Sequence, residues 1–162
     1  MLVEIKFSNR TVDQAHQFIL GYFAQMSCLQ AVVFFAFYPQ HVDGIYAALA
    51  VLYRRGAGGE DVVIDDAVSF GSANISHSAF ANHPSALKAC NIRCLPLAPR
   101  GADIMNRNPW SSADRAAMHV PGEDFFFLQP PSVLLAGAPI PAPACEIDLW
   151  KLLRDLHGLT WK

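Results

Sequence analysis

The sequence predicts a single α/β domain, with a mostly parallel sheet and helices on both faces. Three observations predict it. The chain has 162 residues, 52% hydrophobic and 16% charged, enough apolar material for one sizeable core and for strands covered on both sides. Strand-like and helix-like segments alternate along the chain, which implies a parallel sheet with right-handed crossovers. The stretch Ala31–Phe37 is an unbroken, β-rich apolar run, the pattern of a strand buried on both faces.

Taken in order, Val3-Glu4-Ile5-Lys6-Phe7 alternates apolar and polar residues as a strand does. Ser8, Asn9 and Thr11 offer helix N-caps and Asp13 adds first-turn charge. Ala15, Phe18, Ile19, Tyr22, Phe23 and Met26 follow at helical spacing, so a helix is expected from about Val12 to Met26. Pro39 stops the central strand. Asp43 is placed to cap a second helix, Gly44 to Arg54, which Arg54-Arg55-Gly56 would end.

Val62-Val63-Ile64 is a short strand candidate, and the small, polar stretch Ser69–Pro84 reads as a loop. Ser85–Cys90 has the character of a helix end, and Asn91–Leu95 that of a strand broken by Pro96 and Pro99. Ala102–Gly122 reads as a mixed, helical and looped connection. Phe125–Leu128 is strongly β-like. A Pro-rich segment and a C-terminal helix are expected from about 129 to 162. The apolar stripe Ile147, Leu149, Trp150, Leu153 and Leu156 marks that helix within Glu146–His157, and Gly158 ends it. The whole of 1–162 is expected to form one domain.

Composition excludes several classes. High hydrophobicity with a net charge of −2 excludes a disordered chain and gives no general footprint for nucleic acid. Positive charge is local, at Arg54-Arg55, Arg93 and Arg100. Met1 opens directly onto a strand pattern, without a cationic start and apolar core, so no secretory leader is expected. The longest apolar run is too short to span a bilayer, which takes about 20 residues. Four cysteines, Cys28, Cys90, Cys94 and Cys145, are expected to be reduced thiols in a cytoplasmic protein.

Two segments together resemble the DsrE/TusD-like sulfur-relay family. One runs from Val33 to Ala48, with a Val-Phe-Phe strand followed by Asp43-Gly44-Ile45. The other is Asn91-Ile92-Arg93-Cys94-Leu95-Pro96-Leu97-Ala98-Pro99-Arg100-Gly101, an apolar strand, a Cys and an Arg-Gly. The resemblance covers about the first two thirds of the chain. The chain departs from the family's pattern in the extra residues before Asp43, in Gly56–His83, at Pro96 and Pro99, and in a longer Pro-rich tail. It implies a small sulfur carrier that accepts persulfide sulfur on one cysteine and passes it to a protein partner, within a homo- or hetero-oligomer. Scaffolding subunits of the same fold, without catalysis, are the alternative.

The chemistry needs a reachable thiolate. Cys94, at the predicted end of a strand in an open α/β sheet, stands where ligands collect. Arg100 is the cation placed to favour its thiolate, because strand alternation sends Arg93 and Cys94 to opposite faces. Cys90 is a candidate resolving thiol, and His41, after the apolar strand, a candidate proton carrier. No cofactor, metal, nucleic acid or membrane is expected. A zinc set of His77, His83, Cys90 and Cys94 has loose spacing and an inverted order. A phospholipase D-like reading of Val63–Ser76 fails because Gly58 and Glu60 stand where its His and Lys are required. Gly56–Gly59 follows a predicted helix rather than opening one, so it is no phosphate cradle.

Overall fold

The computed structural model describes residues 1–7, 12–39, 46–56, 59, 61–73, 75, 92–99, 108–122 and 144–158. Their sheet is mixed, not mostly parallel. Five strands lie side by side in chain order: β1 (Leu2–Phe7), β2 (Ala31–Pro39), β3 (Tyr46–Arg55), β4 (Val62–Gly71) and β5 (Arg93–Cys94). The β1/β2 and β4/β5 pairs are parallel, whereas β3 pairs antiparallel with both its neighbours. The strands β1, β2, β4 and β5 therefore share one direction, and their carboxyl ends share one edge.

The expectation that crossover helices alone cover both faces is also corrected. One face carries α1 (Val12–Gln25), the crossover between β1 and β2. The other carries a two-stranded antiparallel unit, β6 (Ala117–Val120) with β7 (Cys145–Asp148), and the helix α2 (Leu149–Gly158). Each layer has its own core. Ile19, Phe23, Val32, Phe34, Val51 and Tyr53 close the α1 side. Phe35, Phe37, Leu52, Phe70, Trp110 and Trp150 belong to the core on the other side. No helix among the described residues is long and apolar enough to cross a membrane.

The largest correction is β3, which the sequence pattern assigned to a helix from Gly44 to Arg54. Ala48, Ala50 and Leu52 join one core, and Leu49, Val51 and Tyr53 the other. A run that is apolar at every position satisfies a strand buried on both faces as well as it satisfies a helix. Two flanking strands, β2 and β4, supply the pairing that decides it. The Arg-Arg-Gly ending consequently caps a different helix. Arg55 donates to the carbonyl of Phe23 in the last turn of α1 and to those of Met26 and Leu29 just beyond it, and its guanidinium lies 5.4 Å from the Phe23 ring centre. The cation that was to end a helix of its own thus satisfies an orphan carbonyl of a neighbouring one and braces the turn that follows it.

Elsewhere the differences are local. The strand β4 extends through Ser69-Phe70-Gly71, residues expected in a loop. Part of the connection from Ala102 to Gly122 is strand β6. The C-terminal helix starts later than expected, because Cys145–Asp148 pairs with β6. Asp148 Oδ1 then accepts from the N–H groups of Trp150 and Lys151 as the N-cap. The predicted features at Ser85–Cys90, Phe125–Leu128 and the Pro-rich segment lie outside the described residues.

Candidate functional site

The sheet carries Cys94 to the place expected of it, the carboxyl end of β5 on the edge shared by four strand ends. Its thiol is free and exposed. The strand β5 is only two residues long, and further interactions on both sides fix it. Leu95 and Ala98 donate backbone N–H groups to Ser69 and Gly71, continuing along β4. The indole Nε1 of Trp110 donates to the Pro96 carbonyl at 2.7 Å. Arg93 is clamped by Asp66, Nε to Oδ1 at 3.3 Å and Nη2 to Oδ2 at 2.8 Å. Arg93 also donates to the carbonyls of Arg115 and Ala117, tying β5 to the start of β6.

A β-bulge makes that clamp possible. Leu52 opposes Asp66 and Tyr53 opposes Ile64, leaving Asp65 as the extra residue. Ile64 packs with the α1-side core. Without the bulge, Asp66, two residues on, would face the same way. With it, Asp66 takes the face of Leu52 and meets Arg93. The pair consumes the cation nearest Cys94 in sequence, in agreement with the expectation that Arg93 and Cys94 part to opposite faces.

Cys94 shares its face with Ser69, its register partner on β4. The two differ sharply in access. Ser69 is buried, and its Oγ has no hydrogen-bond partner among the described residues. Cys94, on the edge strand, is open to solvent. Immediately after it, Leu95 and Ala98 turn into the core, while Leu97 stays 50% exposed. Pro96 and Pro99 therefore keep the segment extended along β4 rather than starting a helix.

Arg100, His41 and Cys90, the other residues expected to act with Cys94, lie outside the described residues, as do His77 and His83. The remaining cysteines described, Cys28 and Cys145, are free and exposed rather than packed inside, contrary to the usual burial of free thiols. Among the described residues no three His, Cys, Asp or Glu side chains gather as a metal site would require. His16 Nδ1 lies 3.3 Å from the Tyr53 hydroxyl, both buried between α1 and the sheet, a core polar pair shielded from solvent.

Sequence reasoning missed Asp66, Ser69 and Trp110, which hold or adjoin the cysteine strand. The adjacent acids Asp65-Asp66 inside an otherwise apolar strand were the available signal for a bulge. Comparison with protein-family models, with curated proteins and with solved structures returns no match.

Proposed function

We propose that the protein is a sulfur carrier working through Cys94. A donor persulfide would be attacked at its outer sulfur by the Cys94 thiolate. The donor S–S bond breaks, the donor leaves as its thiolate, and Cys94 becomes the persulfide. An acceptor thiolate then attacks the outer sulfur and releases Cys94 as thiolate. No external oxidant or reductant is consumed, and both partners are proteins with their own thiols.

The observation that carries this reading is the placement of Cys94: exposed, at a carboxyl strand end, and held by a strand anchored at both flanks. An approaching macromolecular thiol needs an open sulfur on a fixed backbone, and this arrangement supplies both. Exposed Leu97 adds an apolar contact for a partner three residues on.

The test uses a Cys28→Ser/Cys145→Ser background, since both thiols are also exposed. Incubation with a low-molecular-weight persulfide, followed by intact mass measurement, should add one sulfur atom. Cys94→Ser in the same background should abolish the adduct. An undiminished adduct in that variant, or none in the background protein, rejects the carrier role and leaves the scaffolding alternative.

A further inference from the structure

Given the carrier role proposed for Cys94, on which this rests, we infer that Ser69 is the hydrogen-bond donor to the Cys94 sulfur whenever that sulfur carries negative charge. Cys94 and Ser69 are register partners on the parallel strands β5 and β4. Such partners project from one face of the sheet, on backbones about 4.8 Å apart. A hydroxyl on one can therefore turn toward a sulfur on the other by rotation about χ1. The strand β4 lies inside the sheet, between β3 and β5. The register is fixed at this point, because Leu95, the residue after Cys94, donates its N–H to the Ser69 carbonyl at 2.9 Å.

The two side chains differ in access but meet on one face. Ser69 is 3% exposed, and its β3 neighbour Leu49 is buried. A hydroxyl in apolar surroundings costs free energy unless it serves a partner. A neutral thiol is only a weak acceptor. A thiolate accepts much more strongly, since a charge-assisted bond has roughly twice the strength of a neutral one. Arg93 does not supply that donor, because it is clamped by Asp66 on the other face.

Two steps of the carrier cycle place charge on this sulfur. Before loading, Cys94 must be a thiolate to attack the donor persulfide. On unloading, the acceptor thiolate attacks the outer sulfur, the S–S bond breaks, and its electron pair leaves on Cys94 Sγ. In both, the Ser69 O–H points to the charged sulfur and keeps its proton. Ser69→Ala should thus move stability and reactivity in opposite directions.

Alkylation of the Cys28→Ser/Cys145→Ser background with iodoacetamide across a pH series, with Cys94 followed by peptide mass mapping, tests this. Ser69→Ala should slow Cys94 at neutral pH by roughly three- to tenfold. The lost bond reduces the thiolate fraction, and the barer thiolate regains only part of that rate as nucleophilicity. In alkali, with the thiol fully ionised in both proteins, the order should reverse. A strand merely loosened would react faster at every pH. Ser69→Thr and Ser69→Val differ only by a hydroxyl in place of a methyl, and Thr should be the faster at neutral pH by a similar factor. Circular dichroism confirms that each variant is folded. Alkylation indifferent to the hydroxyl in both pairs, or changed equally at all pH values, overturns the inference. If the pH reversal appears but the background protein takes up no sulfur from a persulfide, the carrier role fails and the donor assignment stands.

Discussion

Arg93 Nη2 stands 2.8 Å from Asp66 Oδ2, and this ion pair turns the cation of β5 away from Cys94. Both side chains are about three-quarters buried, with 29% and 26% exposed. Charge-assisted hydrogen bonds in such settings contribute about 1.5–3 kcal/mol when one partner is removed. Asp66→Ala should therefore destabilise the protein by roughly that amount in urea unfolding. It leaves the largely buried Arg93 with only carbonyl partners. Asp66→Asn should cost less, since it keeps an acceptor. The alkylation rate of Cys94 should rise in Asp66→Ala, because β5 loses one of its anchors; an unchanged rate would show that the backbone bonds and Trp110 suffice.

Ser69 gives a prediction of opposite sign. A buried hydroxyl without a partner carries a desolvation cost and no compensating bond. Ser69→Ala keeps the backbone bond that Leu95 donates to the Ser69 carbonyl. The substitution should stabilise the fold by about 1 kcal/mol, seen as a raised midpoint in thermal or urea unfolding. Ser69→Val, by contrast, puts two methyl groups where one hydroxyl sits, must find room for the extra one beside Leu49, its β3 neighbour, and should destabilise.

The contrast between β3 and β5 shows what the sequence could carry. Alternation in β1, the Asp13-led helical stripe of α1 and the continuous apolar run of β2 each have one physical solution, and each element forms within two residues of its expected bounds. Tyr46–Arg55 has two solutions. Its alanines and leucines favour a helix locally, and only the pairing with β2 and β4 decides for a strand. The parallel-sheet expectation failed with it, because turning one crossover helix into a strand reverses the chain direction at that point. Cys94 was legible as a strand end because Pro96 follows it. Its support was not, since Arg93 meets Asp66 from 27 residues away and only through a one-residue bulge.

Arg55 is the next position where a substitution should be costly. Its guanidinium satisfies carbonyls of Phe23, Met26 and Leu29 and reaches the Gly59 carbonyl at 2.8 Å. Gly59 itself takes φ 77°, a left-handed conformation suited to glycine. Arg55→Ala leaves the end of α1 without its side-chain cap and should destabilise by about 2–3 kcal/mol. Arg55→Lys should recover less than half of that, because one ammonium cannot span four carbonyls. Amide hydrogen exchange should locate the loss in the last turn of α1.

Alkaline pH offers a further handle through Tyr38, near the end of β2. Burial pushes its phenol from the ordinary 10 up to about 12. The neutral form is therefore favoured by folding. Below about pH 10 the hydroxyl is protonated in folded and unfolded chains alike, and its contribution is fully present. Between about 10 and 12 the unfolded chain releases the proton while the folded one retains it. The unfolded state then binds fewer protons, so stability falls as pH rises. A shift of this size corresponds to a loss of up to about 2 kcal/mol, allowing for partial solvent screening. Tyr38→Phe should remove that part of the alkaline decline while leaving stability near neutrality within about 1 kcal/mol. Urea unfolding of wild type and variant at neutral pH and across the alkaline range measures the difference. Parallel curves for the two proteins would show that the Tyr38 phenol ionises as freely in the folded chain as in the unfolded one.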